Sequence, residues 1–225
     1  MLRIDIISVV PELLESPLSH SIPGRAVKKG LAQIHVHDLR RYGLGSRQTV
    51  DDYSYGGDPG MVMMVEPVFT CIRDLQAQRT YDEVIYMAPD GEVLTQGIAN
   101  ELSLKENLII LCGHYKGIDE RIREHLVTRE ISVGDFVVSG GEIPAALLAD
   151  SIIRLVPGVL TDETSALSDS FQEGLVSPPV YTRPADFNGW KVPDVLLSGN
   201  PRLIRAWQDE QALQRTRERR PELLK

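Results

Sequence analysis

ISVGDFVVSGGEIPAALLADSIIRLVPGVL, residues Ile131–Leu160, sets the fold class. The run Arg129–Val133 reads as a buried strand. It enters Gly134-Asp135, and a further short apolar run ends at Gly140-Gly141. From Pro144 to Val156 the pattern is helical, and it stops at Pro157-Gly158, where proline and glycine end helices. Strand, glycine-bearing loop and helix in succession make the repeating unit of an α/β domain.

Upstream the same alternation recurs. Arg3–Val10, Glu83–Ala88 and Leu108–Cys112 read as further buried strands. Pro67–Ala77 places Val68, Cys71, Ile72 and Leu75 at helical spacing, and Asp119–Leu126 begins with the acids a helix start prefers. The expected class is α/β with a mainly parallel sheet. Three of these strands run into glycine loops: Pro89-Asp90-Gly91, GHYKGIDER from Gly113, and Gly134-Asp135. Each loop alone is ordinary turn chemistry. Several at the carboxyl edge of one sheet point to a small-molecule site. A further glycine-rich segment, YGGDPGMVMM at Tyr55–Met64, follows Asp51-Asp52 and reads as a loop with a tightly specified backbone, a candidate for substrate contact.

The 225 residues suffice for one sizeable core, or for a main domain with a small second one. No run of about 18 apolar residues predicts a membrane span. The start, MLRIDIISVVPELLES, lacks the pattern of a signal peptide, and Cys71 and Cys112 make no disulfide framework, so a cytoplasmic setting is expected. Neither a G-x-G-x-x-G after the first strand nor a G-x-x-x-x-G-K-[ST] is present, which argues against a dinucleotide dehydrogenase or a P-loop ATPase. No Cys/His cluster has zinc spacing, and no G-x-S-x-G elbow occurs. His35 and His37 alternate on what reads as a surface strand. The net charge of −8 opposes non-specific nucleic-acid binding, although a local cationic patch suffices for phosphate contact. Arg25, Lys28, Lys29, Arg40, Arg41 and Arg47 form one such stretch. Arg202, Arg205, Arg215, Arg217, Arg219, Arg220 and Lys225 form another, and a solvated face is the plain reading of either.

A boundary follows the long helix. Thr161–Ser170, TDETSALSDS, is polar and aperiodic and reads as a linker. Beyond SPPVYTRP, Asn200 is a good N-cap and Pro201 a good first helical residue, with Leu203, Ile204, Trp207 and Leu213 as an apolar stripe. The expected division is residues 1–160, a linker at 161–170, and a small basic helical domain at 171–225.

Taken in order, VDDYSYGGDPGMVMM, APDG, LCGHYKGIDER, SVGDFVVSGGE, SDSF, YTRP and VLLSGN resemble the bacterial tRNA (guanine-N1)-methyltransferases over nearly the whole chain. The resemblance implies an S-adenosylmethionine domain with a deep trefoil knot, an exception to the rule against knots. It also implies a homodimer with a shared active site, and methylation of guanosine 37 in tRNA. The cofactor residues it implies are Tyr86, Met87, Ala88, Pro89 and Gly91, with Gly113, Tyr115 and Gly117. In the third loop they are Ser132, Val133, Gly134, Asp135, Phe136, Val137 and Val138, then Gly140, Gly141 and Pro144. The resemblance places RNA contacts on Gly57, Pro59 and Gly60, and on Arg183, Ser198 and Asn200 of the helical domain.

By the same resemblance Asp169, in SDSF, is the general base, and Arg154, in DSIIRLVPG, stands near the reacting guanine. Guanine N1 is a poor nucleophile until its proton leaves, and a carboxylate can take it. The charge then spreads to O6, where an arginine stabilises it. This chain departs from the family at His114 and Lys116, where CGRYEGIDER is commoner. The family glutamate at the second position is linked to magnesium, so Mg2+ is left open. Asp58, Tyr53 and Ser54 also depart, from YGGGPGM and DDRPYGG. Rival readings are a related knotted enzyme acting on a ribose hydroxyl and an RNA-binding protein without catalysis.

Overall fold

A computed structural model describes residues 1–57, 59–160, 169–172 and 174–224. The chain divides into two compact units, Met1–Thr161 and Asp162–Lys225. The expected linker at 161–170 falls outside the described residues except for Asp169 and Ser170.

The first unit carries β1 (Leu2–Ser8), α1 (Glu12–Ser19), α2 (Ser21–Lys28), β2 (Ala32–Asp38), β3 (Asp51–Tyr53), β4 (Met61–Met63) and α3 (Val65–Gln78). Then come β5 (Glu83–Val93), α4 (Gln96–Ser103), β6 (Asn107–Cys112), α5 (Glu120–His125), β7 (Arg129–Ser132) and α6 (Glu142–Ile153). Five strands form one parallel sheet in the order β2-β1-β6-β5-β7, while β3 and β4 pair antiparallel.

Helices cover both faces of the sheet, so its central strands are apolar throughout rather than alternating. In β6, Leu108, Ile110 and Cys112 join the core that includes Leu148, Ala149 and Ile152 of α6. Ile109 and Leu111 join the opposite core with Val68, Cys71 and Ile72 of α3. These five residues of β6 are fully buried. Each Leu or Ile among them contributes roughly 1.5–3 kcal/mol by leaving water.

The expected strands and helices are present with small shifts of their ends, and three local features differ. β5 does not stop at Ala88 but continues to Val93 through a break in register, Met87 and Glu92 both pairing with Ile131. Pro89 has no N–H to donate, so the APDG segment leaves the ladder before the strand resumes. The surface strand of His35 and His37 is β2, an edge strand of the main sheet, and His37 is bonded to the buried Asp5. α1 and α2 escape the sequence pattern because Pro17 lies inside the first, and Pro23 and Gly24 inside the second.

The second unit holds a hairpin of β8 (Asp186–Phe187) and β9 (Trp190–Lys191), then α7 (Asp194–Leu197) and α8 (Pro201–Arg219). Asn200 caps α8 by accepting from Arg202 N and Leu203 N at 3.1 and 3.4 Å. Of the apolar stripe read from the sequence, Ile204, Trp207 and Leu213 are half-buried. Leu203 is exposed, and the buried positions are Ala212 and Thr216. Thr216 Oγ1 donates to Ala212 O at 2.7 Å and accepts from Val176 N at 2.9 Å, so a polar group is satisfied inside the small core.

Candidate active site

β6, β5 and β7 are adjacent in the sheet, so the loops at their carboxyl ends meet. They enclose a cavity of about 430 Å³. Tyr86–Asp90 forms one wall, Gly113–Ile118 a second, and Ile131–Gly134 with Phe136–Gly141 a third; Pro144, Glu120 and Arg123 complete it.

Glycine permits this closeness. Gly141 N donates to Gly113 O at 2.7 Å, and a Cβ on Gly141 would stand 2.7 Å from Gly113 N. A Cβ on Gly113 would lie 2.9 Å from the Tyr86 ring. The second loop turns through left-handed backbone at Tyr115 and Gly117, with φ of 59° and 126°.

Arg123 of α5 clamps the first and third loops. It donates to Glu130 of β7 at 2.8 and 2.5 Å and to Asp90 at 2.7 Å, and lies 5.6 Å above the Tyr86 ring. These bonds, with Glu130 foremost, raise the guanidinium pKa further and hold the Asp90 carboxyl below its usual range. Burial pushes the Tyr86 phenol up to about 12, so the wall presents a neutral ring at physiological pH. Burial likewise raises the Cys112 thiol, which makes it an inert packing group.

The structure gathers most of the expected cofactor residues around this one cavity. Two stand apart. Gly91 faces the Glu130–Ile131 backbone, where a Cβ would come within 2.6 Å, so it serves close packing; Asp135 is also outside the lining. The loop with Gly57, Pro59 and Gly60 is tied to the second wall, because Lys116 N donates to Met61 O and Met63 N to Gly117 O, at 2.9 and 3.0 Å. A Cβ on Gly60 would stand 2.7 Å from the Lys116 side chain. Arg154 is the C-cap of α6 in the first unit, and Asp169 belongs to the second. In the second unit Ser198 and Asn200 are engaged in turn and cap bonds, with Asn200 N donating to Ser198 Oγ at 3.2 Å. Arg183 is exposed beside an open cleft.

Sequence reasoning missed Arg123, Glu120 and the wall role of Asp90. The GHYKGIDER motif contains Glu120, but the clamp needs Asp90 and Glu130, and nothing local announces that pairing. No group of three or more His, Cys, Asp or Glu side chains is placed to hold a metal among the described residues.

The profile of the family described as tRNA (Guanine-1)-methyltransferase TrmD matches residues 2–225. A protein of Flavobacterium johnsoniae named tRNA (guanine-N(1)-)-methyltransferase is 57% identical over 223 residues, 99% of both chains. One of the same name from Porphyromonas gingivalis is 59% identical over 224 residues, the full length of both. Another, from Cytophaga hutchinsonii, is 60% identical over 222 residues, 99% of this chain and 94% of that one. The chain belongs to the tRNA (guanine-1)-methyltransferase family.

Proposed function

We propose that this protein transfers a methyl group from S-adenosylmethionine to N1 of guanosine 37 in tRNA, giving 1-methylguanosine. The observation that carries the reading is the cavity where the loops after β5, β6 and β7 meet, in a chain that matches the family from end to end. The cavity lies within the roughly 300–1,000 Å³ usual for ligand pockets. Its walls alternate apolar groups, Ile131, Val137, Val138 and Pro144, with exposed loop backbone, which suits a flat adenine with polar edges. Asp90 and Glu120 bring carboxylates to a wall that would face a cationic sulfonium. Bound S-adenosylmethionine supplies an electrophilic methyl group. The trefoil knot belongs to the same reading, supported by the backbone contact between the second and third loops.

In this reading Asp169 takes the N1 proton, which gives the ring nitrogen its nucleophilic lone pair. Arg154 stabilises the negative charge that spreads to O6. The helix that ends at Arg154 also points to a second copy of the chain. α6 buries most of its surface, yet Ile143 and Leu147, one turn apart, are 57% and 48% exposed, and Val137 of the third loop is 88% exposed. A partner subunit covering this apolar face would complete the site as a homodimer. Gly57, Pro59 and Gly60, tied to the second wall, and Arg183 of the second unit are assigned to tRNA. Ser198 and Asn200 shape the backbone there. Lys116 places a cation where relatives' glutamate is linked to Mg2+, so no metal ligand is assigned at that position.

The test is transfer from labelled S-adenosylmethionine to an unmodified tRNA carrying guanosine 37. The wild type is expected to yield 1-methylguanosine at that nucleotide, and Asp169→Asn to be slower by roughly 10²–10⁴-fold. A wild type that binds cofactor and tRNA yet transfers nothing would put an RNA-binding protein in place of the enzyme. An Asp169→Asn variant of undiminished rate would remove the base assignment alone.

A further inference from the structure

The β8–β9 hairpin displays two aromatic rings that neither the small core nor the proposed chemistry uses. Its turn is Asn188-Gly189, with φ of 55° and 85°, the left-handed pair that a type I′ turn requires. Gly189 N donates to Asp186 Oδ1 at 2.9 Å, and Val192 N to Ala185 O at 2.9 Å, so tip and base are both pinned. Phe187 and Trp190 are directly opposed across the hairpin and therefore share a face. Their ring centroids are 6.1 Å apart at 56°, an angle that leaves no slot between them. Even so, Phe187 is 56% and Trp190 76% exposed. Phe187 braces the indole from one side, and the other side faces solvent.

Cations stand on both sides of this ring along the chain. Lys191 follows Trp190 but lies across the hairpin from Asp186, on the face opposite the rings; Arg183 precedes the hairpin in a cleft walled by Tyr181, Ala185 and Val192, the last two being the hairpin's own base. Neither cation has an ion-pair partner among the described residues. A flat ring held by a rigid turn, with an unpaired arginine in the cleft at the hairpin's base, matches the alternation of base and phosphate along a single nucleic-acid strand. Two rings offer at most about 500 Å². A stable protein interface takes roughly 800 Å² per partner, so a second protein is the poorer fit.

We infer that Trp190, braced by Phe187, is a stacking platform for one unpaired nucleobase of the tRNA, with Arg183 meeting an adjoining phosphate. This rests on tRNA being the substrate and adds to it a base-recognising site on the second unit.

The experiment compares full-length wild type with Trp190→Ala, Trp190→Phe and Arg183→Ala. It measures affinity for an unmodified tRNA transcript over a range of salt, affinity for S-adenosylmethionine, and oligomeric state. Trp190→Ala is expected to weaken tRNA binding by roughly 5- to 150-fold, with cofactor affinity and salt slope unchanged. Trp190→Phe should keep most of the affinity. Arg183→Ala should reduce the salt slope by about one. In a Trp207→Phe background Trp190 is the sole tryptophan, and its emission should be quenched by tRNA. Unchanged tRNA affinity in Trp190→Ala overturns the inference, and so does a change of oligomeric state without loss of RNA affinity. If the wild type itself fails to bind the transcript, the substrate reading falls and takes this site with it. If the wild type methylates tRNA and Trp190→Ala binds it equally well, only the platform falls.

Discussion

Glu142 Oε2 and His114 Nδ1 stand 3.7 Å apart at the rim of the cavity, and neither atom has a hydrogen-bond partner among the described residues. Glu142 is the first residue of α6 and is buried; its other oxygen accepts from Ser8 Oγ at 2.8 Å, at the end of β1. One carboxylate thus ties the carboxyl end of β1 to the start of α6 and faces a histidine on the second cavity loop. Gly140 fits between them. A Cβ there would come 2.4 Å from the carboxylate oxygen and 2.6 Å from the ring nitrogen.

That geometry ranks two neighbouring substitutions. At Gly140 the obstacles are the ends of two side chains, which can give way. At Gly141 they are the backbone of Cys112 and Gly113, at 2.8 and 2.7 Å, which cannot move without opening the second loop. Overpacking of this kind costs ~1–3 kcal/mol. Gly141→Ala is expected to lower the melting temperature and weaken S-adenosylmethionine binding more than Gly140→Ala does, as calorimetry would read. Equal effects would mean that the loops adjust independently of the contact.

A second prediction concerns acid. Asp5 is fully buried on β1, and burial by itself would raise its pKa. Hydrogen bonds from His37, Arg3 and Tyr81, at 2.7, 2.6 and 2.9 Å, outweigh that and hold the carboxyl far below its usual range. A folded pKa below the unfolded one makes the stabilisation complete above the ordinary carboxylate range, about pH 4, and progressively lost as the pH falls towards the folded value. Urea unfolding of the wild type should therefore show stability falling steeply between about pH 5 and pH 3. Asp5→Asn should flatten that slope and cost about 3 kcal/mol near neutrality, because Arg3 loses its buried counter-charge. A variant with the wild-type acid slope would assign the slope to other carboxylates.

How much of this was legible follows from the range of each interaction. β1, β5, β6, β7 and the long helices could be read because buried apolar runs and helical spacing are local signals. The meeting of three glycine loops could be read from their positions at strand ends, once a parallel sheet was expected. The continuation of β5 past Pro89 could not, because only the neighbouring strand β7 determines where pairing resumes. The Asp5 cluster joins residues 32 and 76 positions apart, and no window of sequence contains both ends. The identities of the cofactor and the base came from family motifs, not from periodicity, and Arg123 was missed because its partners lie on two other elements.

Arg123 supplies the third prediction. Its planar fork holds Glu130 with two bonds while a third reaches Asp90, so one side chain fixes the break in β5 against β7. Charge-assisted bonds contribute roughly 1.5–3 kcal/mol each. Because the side chain is partly exposed and part of that is screened, the effect should be local rather than global. Arg123→Ala is expected to weaken cofactor binding by about tenfold, 1.4 kcal/mol, with a smaller change in unfolding free energy. Arg123→Lys should recover only part of the affinity, since an ammonium lacks the fork. Full recovery by lysine would reduce the clamp to simple charge.

The last prediction isolates the second unit. Thr216 is fully buried on α8, and its hydroxyl is the partner of Val176 N. Thr216→Val keeps the shape and the β-branch but leaves that N–H without an acceptor inside the core. A buried donor deprived of its partner costs roughly 1–3 kcal/mol. The loss should fall on the segment around Val176 and on α8, the two elements that the hydroxyl joins, and not on the sheet of the first unit. Hydrogen exchange read by mass spectrometry should therefore quicken in peptides spanning Val176 and α8 and stay unchanged in β1, β5 and β6. If the strands quickened as well, the two units would share one cooperative unfolding transition, and the hydroxyl would be stabilising the whole chain rather than its small domain.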